Sequence, residues 1–496
     1  MDSSAISTAA IFLLLGALGS SAAWWVFFHG YSFYYGDAEA HLNIARRIFD
    51  SRTPGPEQIG TVWLPLPHIL LALFTRVDAL WFSGLAGVIP SVACFTLAGT
   101  FLFLAAHRVY GSTAAAVTVA LLFTLNPNML YLAATPMTEP VMAAALAALL
   151  WATLWFRDSQ SLWALLAAAA ACNAASLTRY EGWFVIPFVA LYIWIVARNK
   201  THAFLFGILA MLGPCAWLAH NLFYYNNALE FYNGPYSAQA IFQRQLSQGM
   251  PQPGTKSWTL AAFYYWSAAR HVVGDPLLIL GSIGLVAALW RRAWWAVALL
   301  CLPAIFYIWS MHSSGTPIFV PELEPFTRYN TRYALLVLPL AAFAAGALVV
   351  LFPESFRSKA AIGLTLVGAI LLAARPVSIC WEEAEAGSAG RRAYTQEAAA
   401  FLKDQYKHGA GIVFWFGDLA GILRQAGIPI REGLYQDNGS VWKEALAQPV
   451  KFKEEWVLTL AGDPVSEALQ HNDSAYQLVH RVEKKGAPAV EIFRRH

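Results

Sequence analysis

The topology of this chain depends on residues 63–74, which read WLPLPHILLALF. The stretch is apolar, but it is shorter than the roughly 20 residues that a spanning helix needs, and it carries two prolines near its start and then His68. If it does not cross a membrane, the short basic connections all fall on one side, as the positive-inside rule requires of the cytoplasm. These connections hold Arg108, Arg157, Arg198, Lys200, Arg291, Arg292, Arg357 and Lys359. We therefore expect residues 63–74 not to cross.

Apolar stretches of spanning length surround this segment, and they predict about 11 transmembrane helices. They cover residues 6–28, 79–106, 113–132, 136–156, 162–177, 183–197, 202–223, 276–290, 294–311, 333–352 and 360–374. With 58% hydrophobic and only 13% charged residues, the chain has the composition of a polytopic α-helical membrane protein. The predicted topology places the long loops 30–78, 224–275 and 312–332 on the non-cytoplasmic face, together with the C-terminal part.

The distribution of charge divides the chain near residue 376. Residues 1–376 and the much shorter stretch 377–496 each hold about half of the charged side chains. We therefore predict a transmembrane domain followed by a small soluble domain. The second part alternates helix and strand patterns, which indicates an α/β fold. Its predicted helices are 395–406 and 418–425, the latter capped by Asp418, and its predicted strands are 412–416, 456–460, 476–482 and 489–493.

Composition also excludes some classes of protein. The net charge of +3 and the scattered basic residues exclude a nucleic-acid partner. Four of the five cysteines lie in apolar runs, so the sequence predicts neither a disulfide framework nor a paired-cysteine metal site.

The first loop, YYGDAEAHLNIARRIFD, carries acids just after the first predicted span. Residues 38–49 have apolar positions at helical spacing, which predicts an amphipathic helix in the membrane interface, with Asp37 at its N-cap. Alternatively, partial desolvation makes the Asp37 carboxylate a base that takes a proton from an acceptor hydroxyl. On a helix, His41 follows Asp37 by one turn and could join it as a metal ligand, whereas Glu39 would point away.

Glu139 lies in TEP at the start of another span. It either complements the positive end of a helix or supplies a second carboxylate that binds a sugar hydroxyl or a divalent cation. Both alternatives remain open at this point.

Arginines mark two more span ends. In LTRYEGW, Arg179 and Glu181 form either an interfacial salt bridge or a phosphate site. The stretch FTRYNTRY repeats an Arg-Tyr pair after four residues, which predicts that Arg328 and Arg332 lie on one face of a helix. At the positive end of that helix, the two guanidinium groups favour the binding of a phosphate. We expect all four groups to meet at one outer-face site.

In this order, these motifs resemble the GT-C superfamily of integral membrane glycosyltransferases that use polyprenyl-phosphate-linked sugars. The first-loop Asp37-Ala38-Glu39, the segment WLPLPHILLAL, TEP, LTRYEGW and the Arg-Tyr entrance to a late span carry the resemblance, over roughly the first 340 residues. Within this superfamily, the motifs most resemble those of bacterial lipid A aminoarabinose transferases and protein O-mannosyltransferases.

The resemblance implies roles for individual residues. Asp37 and Glu39 would be the catalytic acids, and the outer-face arginines Arg179, Arg328 and Arg332 would bind the carrier phosphate. Tyr329, Tyr333, Glu139, Glu181 and His68 are further candidates for substrate binding. A divalent cation (Mg, Mn or Zn) held by Asp37, His41 and Glu139 is possible, but the Asp-x-Glu pattern departs from the adjacent Asp-Glu or Asp-x-Asp of many relatives.

The implied reaction is an inverting transfer of a sugar from a polyprenyl-phosphate donor to a hydroxyl of a lipid, glycan or protein. It would take place on the periplasmic or extracytoplasmic side of a bacterial inner membrane, where membrane lipids surround the enzyme. Two other classes compete: a transporter or flippase of a lipid-linked or small solute, and a non-catalytic envelope assembly factor.

Overall fold

The structure, a computed structural model, describes residues 3–315, 317–373, 378–447, 453–470 and 475–496. Its helices are α1 (Ser3–Phe28), α2 (Gly36–Arg47), α3 (Pro65–Thr75), α4 (Asp78–Ser83), α5 (Leu85–Tyr110), α6 (Thr113–Thr124), α7 (Pro127–Ala133), α8 (Glu139–Ser159), α9 (Leu162–Ser176), α10 (Glu181–Val196), α11 (Thr201–Ala210), α12 (Leu212–Tyr225), α13 (Glu230–Asn233), α14 (Ala238–Ser247), α15 (Trp258–Val273), α16 (Asp275–Trp290), α17 (Trp294–His312), α18 (Leu338–Gly346), α19 (Glu354–Ala373), α20 (Ile379–Gln405), α21 (Ala420–Ala426), α22 (Gly439–Ala447) and α23 (Pro464–Gln470). The strands are β1 (Ile412–Phe414), β2 (Gly433–Leu434), β3 (Trp456–Leu460), β4 (Tyr476–Val482) and β5 (Val490–Arg495).

The chain forms two compact units. The helical unit comprises Met1–His29, Thr61–Pro67 and Ser91–Glu383. The sheet unit comprises Gly30–Gly60, His68–Pro90 and Ala384–His496. The first loop thus groups with the C-terminal part, whereas the predicted boundary at residues 376 and 377 lies outside the described residues.

The described helices make the chain a multi-pass membrane protein. Six are long and apolar enough to cross a membrane: Thr8–Phe28, Leu85–Tyr110, Glu139–Ser159, Thr201–Tyr225, Trp294–His312 and Thr331–Leu351. Two bent pairs raise the number to eight, α6 with α7 at 69° and α15 with α16 at 108°. Every predicted span coincides with a helix or a helix pair. The count of 11 stays a prediction, because α9 and α10 have only 15 and 16 residues.

Helix α3 contains most of the segment on which the topology depends. It has 11 residues. At ~1.5 Å per residue such a helix is about half as long as the hydrocarbon core is thick. Its length agrees with the expectation that it does not cross.

Polar contacts fix the two bends in the helical unit. The Asn126 side chain caps α7 by accepting from the backbone N–H groups of Asn128 and Met129 at 2.9 and 3.2 Å. Its amide group donates to the carbonyl of Val272, near the end of α15, at 2.9 Å. One asparagine therefore satisfies backbone groups that both breaks expose.

Small residues let α16 and α18 pack closely. A Cβ atom on Gly284 would lie 2.1 Å from the carbonyl oxygen of Ala344, and one on Gly281 would lie 2.9 Å from Cα of Ala341. Close backbone approach of this kind supplies the van der Waals contact that holds membrane helices together.

The sheet unit is built on five strands in the order β2-β1-β3-β5-β4. Strand β1 is parallel to β2 and β3, whereas β5 is antiparallel to β3 and β4. Ile412, Phe414, Leu458 and Ile492 are fully buried in its core. Strands β1, β3, β4 and β5 lie at the predicted places, and the two-residue β2 was not predicted.

Candidate functional site

Five charged residues form a buried ion cluster in the helical unit: Glu139, Arg179, Glu181, Arg332 and Glu383. Arg179 follows α9 and binds Glu181 Oε1 through Nε at 2.6 Å, while its Nη1 contacts Glu139 Oε1 at 3.1 Å. The salt bridge that the spacing of Arg179 and Glu181 predicted as one alternative is therefore present. Arg179 also donates to the hydroxyl of Thr138 at 2.6 Å.

Arg332 joins the same cluster from a later part of the chain. Its Nε lies 3.1 Å from Glu139 Oε1, and its Nη1 lies 3.3 Å from Glu383 Oε1. Glu383 also accepts from the backbone N–H groups of Asn330 and Thr331 at 3.0 and 2.8 Å. This carboxylate fixes the start of the 3-10 helix Thr331–Val337, where Arg332 lies.

Tyrosines cover the ion cluster. The Tyr307 hydroxyl donates to Glu181 Oε1 at 2.8 Å and also contacts Arg179. Its ring stacks on Tyr333 with ring centroids 5.0 Å apart, and the Arg179 guanidinium lies 4.7 Å from the Tyr333 ring centre. The rings provide an apolar wall that strengthens the ionic contacts behind it.

The ion cluster has three carboxylates for two guanidinium groups. Glu139 is 1% exposed, and its Oε2 has no hydrogen-bond partner among the residues that the structure describes. Both arginines are already bound to two carboxylates each. A phosphate could therefore bind Arg179 or Arg332 only by competing with glutamates.

The structure corrects the predicted geometry of Arg328 and Arg332. They do not share a helix face, because Asn330 between them is in the left-handed conformation (φ 54°) and the 3-10 helix begins only at Thr331. Tyr329 forms an isolated antiparallel bridge with Phe319. Arg328 instead contacts Glu382 at 2.6 Å, with about a third of its side chain exposed, 34%.

Three of the four predicted groups therefore meet at one end of the helical unit: Glu139, the Arg179–Glu181 pair, and Arg332 with Tyr333. The fourth group, Asp37 with Glu39 and His41, belongs to the sheet unit.

Helix α2 carries this fourth group, and it differs from the prediction in two respects. It begins at Gly36 with Tyr35 as N-cap, so Asp37 lies in the first turn and is not the cap. Its residues 41–47 are all buried, so it is not an amphipathic helix lying in the membrane interface. Packing against the C-terminal part, which periodicity does not reveal, covers its polar face. Asp37 itself is partly exposed.

Glu39 is buried beside Arg424 of α21. Its two oxygens accept from Arg424 Nε and Nη2 at 2.7 and 2.8 Å, and Oε1 also accepts from Asn43 at 3.0 Å. Burial raises the pKa of Glu39, but the Arg424 guanidinium, the charge of Arg391 and the hydrogen bond from Asn43 together lower it by more, so the pKa is below its usual value. Glu39 therefore forms a buried ion pair with Arg424.

A second carboxylate, Asp418, lies against the start of α2. A Cβ atom on Gly36 would be 3.7 Å from Asp418 Oδ1 and 4.0 Å from Arg391 Nε. The Asp418 side chain is 54% exposed. Its partial burial raises the pKa of Asp418; Arg391 opposes this shift, and the charges of Asp37 and Glu39 add to it. Asp418 was predicted as a helix cap, but α21 begins after it, with Leu419 as N-cap.

His41 and His68 form a buried pair, with His41 Nδ1 2.9 Å from His68 Nε2. Within the described ranges, no three His, Cys, Asp or Glu side chains are placed to hold a metal ion. A divalent cation held by Asp37, His41 and Glu139 therefore stays a prediction, and no chemical step below depends on one.

Sequence reasoning missed the partners of its candidates: Tyr307, Glu383, Arg391 and Arg424. Each lies 51 or more residues from the residue that it binds in this site. No local pattern marks such pairs.

Comparisons with known proteins concern the fold. No family model matches the chain, and no curated protein matches its sequence. Among solved structures, ArnT from Cupriavidus metallidurans in the apo state superposes with a TM-score of 0.60 at 13% identity, over 92% of this chain and 93% of that one. The chain therefore shares the fold of ArnT over most of its length. The oligosaccharyltransferase of Archaeoglobus fulgidus in the apo form gives a TM-score of 0.49 at 10% identity, over 91% of this chain and 69% of that one. The resemblance noted in the sequence agrees with the superposition on ArnT at the level of the fold.

Proposed function

We propose that this chain is an inverting glycosyltransferase that moves a sugar from a polyprenyl-phosphate donor to an acceptor hydroxyl at the outer face of a bacterial inner membrane. The observation that carries the proposal is the GT-C fold, shared with ArnT over nine-tenths of both chains. A transporter or an assembly factor has no comparable support.

Asp37 is the proposed base. It is partly exposed, lies in the first turn of α2, and has the Asp418 carboxylate close to that turn. A carboxylate at this place can accept the proton of an acceptor hydroxyl. The acceptor hydroxyl gives its proton to Asp37, its oxygen bonds to the anomeric carbon, and the bond from that carbon to the phosphate oxygen breaks. The released polyprenyl phosphate keeps the electron pair.

The arginines at the end of the helical unit are the proposed phosphate ligands. Arg328 is the most accessible of the three, because 34% of its side chain is exposed, against 13% for Arg179 and 7% for Arg332. Its Nε is buried and without a hydrogen-bond partner in the described parts of the chain, so a bound phosphate oxygen would supply the acceptor that it lacks. Arg179 and Arg332 would contribute positive electrostatic potential at the phosphate, and the ion cluster would fix the positions of their guanidinium groups. Tyr329 and Tyr333 would line the lipid-phosphate path, and Glu139, Glu181 and His68 remain proposed substrate-binding residues.

The donor class follows from the proposed compartment. Nucleotide sugars are cytosolic, whereas a sugar on a polyprenyl phosphate lies in the leaflet beside the outer ends of the spans. The acceptor would be a hydroxyl of a lipid, a glycan or a protein.

Reconstituted vesicles distinguish transfer from transport. Purified protein would be incubated with a series of radiolabelled polyprenyl-phosphate sugars, and the released polyprenyl phosphate and the labelled acceptor would be measured together. Equal amounts of both products support the proposal. Movement of intact donor between leaflets without release of polyprenyl phosphate would support a flippase instead.

A further inference from the structure

The sheet unit holds the segment around Asp37 from both sides. We propose that Arg391 and Arg424, both from the C-terminal part of the chain, are positioning residues for Asp37. This inference rests on the proposed function, and it gives the C-terminal part of the chain a role in the reaction itself.

Arg391 fixes the backbone just before Asp37. Its Nη2 donates to the carbonyl oxygens of Phe33 and Tyr34 at 3.1 and 2.7 Å. Its Nε faces Asp418 Oδ1 at 4.0 Å. One guanidinium from α20 therefore holds the turn that leads into α2 and, at the same time, faces the carboxylate beside that turn.

Arg424 fixes the backbone just after Asp37. Its bidentate ion pair with Glu39 is buried, with side chains 5% and 4% exposed. It also donates to the carbonyl of Phe82 at 3.0 Å, and its guanidinium lies 4.5 Å from the ring centre of Phe33. A buried bidentate pair restricts orientation as well as distance, so the first turn of α2 cannot rotate freely.

A third contact supports the same turn. The Arg392 guanidinium lies 3.7 Å from the ring centre of Tyr34. The segment from Phe33 to Glu39 is thus bound to α20 and α21 at three places, and Asp37 lies between them. A base displaced by about 1 Å loses up to about 100-fold in rate, so such support is a condition for turnover.

The test uses full-length protein with matched variants. Arg391→Met removes the carbonyl contacts, and Arg391→Lys keeps a donor within reach. The double variant Glu39→Gln/Arg424→Gln removes both charges of the pair, which avoids leaving one of them buried without its partner. Arg52→Gln is the control, because Arg52 also joins the first loop to the C-terminal part, through Glu454 at 2.5 Å, but lies beyond the end of α2.

We expect kcat to fall at least about tenfold in Arg391→Met and in the double variant, with KM for the donor changed less than about twofold. Arg391→Lys should recover most of the kcat of the unsubstituted protein, and Arg52→Gln should keep all of it. Both variants should melt at the same temperature as the unsubstituted protein. Two outcomes overturn the inference: kcat in the first two variants no lower than in Arg52→Gln, or a loss in Arg391→Lys equal to that in Arg391→Met. If Asp37→Asn itself remains active, it is the proposed function that fails.

Discussion

Glu139 and Arg332 lie 193 positions apart in the chain, yet Glu139 Oε1 and Arg332 Nε are 3.1 Å apart in the helical unit. This contact joins the start of α8 to the start of the last long span. Because Arg179 binds the same oxygen, one carboxylate holds two arginines at one end of the helical unit. The predictions below begin with this arrangement.

Neutralising Glu139 should not weaken the fold. The ion cluster has an excess of one carboxylate, and Gln keeps an oxygen that accepts from both arginines. We expect Glu139→Gln to unfold at the same or a higher temperature than the unsubstituted protein. Arg332→Gln should instead destabilise by about 3–5 kcal/mol, since it leaves buried carboxylates without their cation. Thermal unfolding in detergent compares them, and a lower melting temperature for Glu139→Gln than for Arg332→Gln would contradict the charge assignment.

Arg328 should control donor affinity rather than stability. Its side chain is a third exposed, so Arg328→Ala should leave the melting temperature unchanged while it weakens donor binding by about tenfold, as expected for a lost charged hydrogen bond. Glu382→Gln should strengthen donor binding, because it removes the competing carboxylate. Binding of a labelled polyprenyl-phosphate sugar measures both effects. Unchanged affinity in both variants would remove Arg328 from the phosphate site.

The ionised Asp418 carboxylate should lower the free energy of unfolding at neutral pH. Its pKa is raised in the folded protein, chiefly by burial, so the folded state binds its proton more tightly than the unfolded state does. Ionised Asp418 lowers the free energy of unfolding. This effect is absent below the pKa of Asp418 in the unfolded state, about 3.9, and grows as the pH rises through the pKa of the folded state. Asp418→Asn should therefore raise the melting temperature at about pH 7 and not at about pH 4. An equal gain at both values would show that charge is not the cause.

Close packing of α16 and α18 predicts a strong effect of one methyl group. Gly284→Ala should destabilise by about 1–3 kcal/mol, because its Cβ would lie 2.1 Å from the carbonyl oxygen of Ala344. Gly207 is the control: it lies in α11, and an added Cβ would have nothing within 4 Å. Gly207→Ala should therefore be neutral or slightly stabilising. The ratio of folded to unfolded protein in denaturant compares the two.

The helices could be predicted because a membrane-spanning segment is recognisable in a sequence as a long run of apolar residues. All predicted spans coincide with helices, and the strands of the C-terminal part follow their β-branched runs, whereas β2 has only two residues and gives no such signal. The convergence of Glu139, Arg179 and Arg332 followed from topology. The prediction that Arg328 and Arg332 share one face of a helix was wrong. Asn330 between them has a left-handed backbone conformation, which a single sequence does not reveal. Glu39 was taken for a catalytic acid by resemblance, but its partner Arg424 is 385 residues away.

The central claim is tested most directly by single-turnover transfer from a polyprenyl-phosphate sugar in purified protein, with Asp37→Asn compared with Glu57→Gln. Glu57 is an exposed acid of the same first loop, outside α2. The account predicts that Asp37→Asn folds and binds donor but transfers sugar at least about 1000-fold more slowly, whereas Glu57→Gln keeps the rate of the unsubstituted protein. Full transfer by Asp37→Asn, or no transfer by the unsubstituted protein from any such donor, would contradict it.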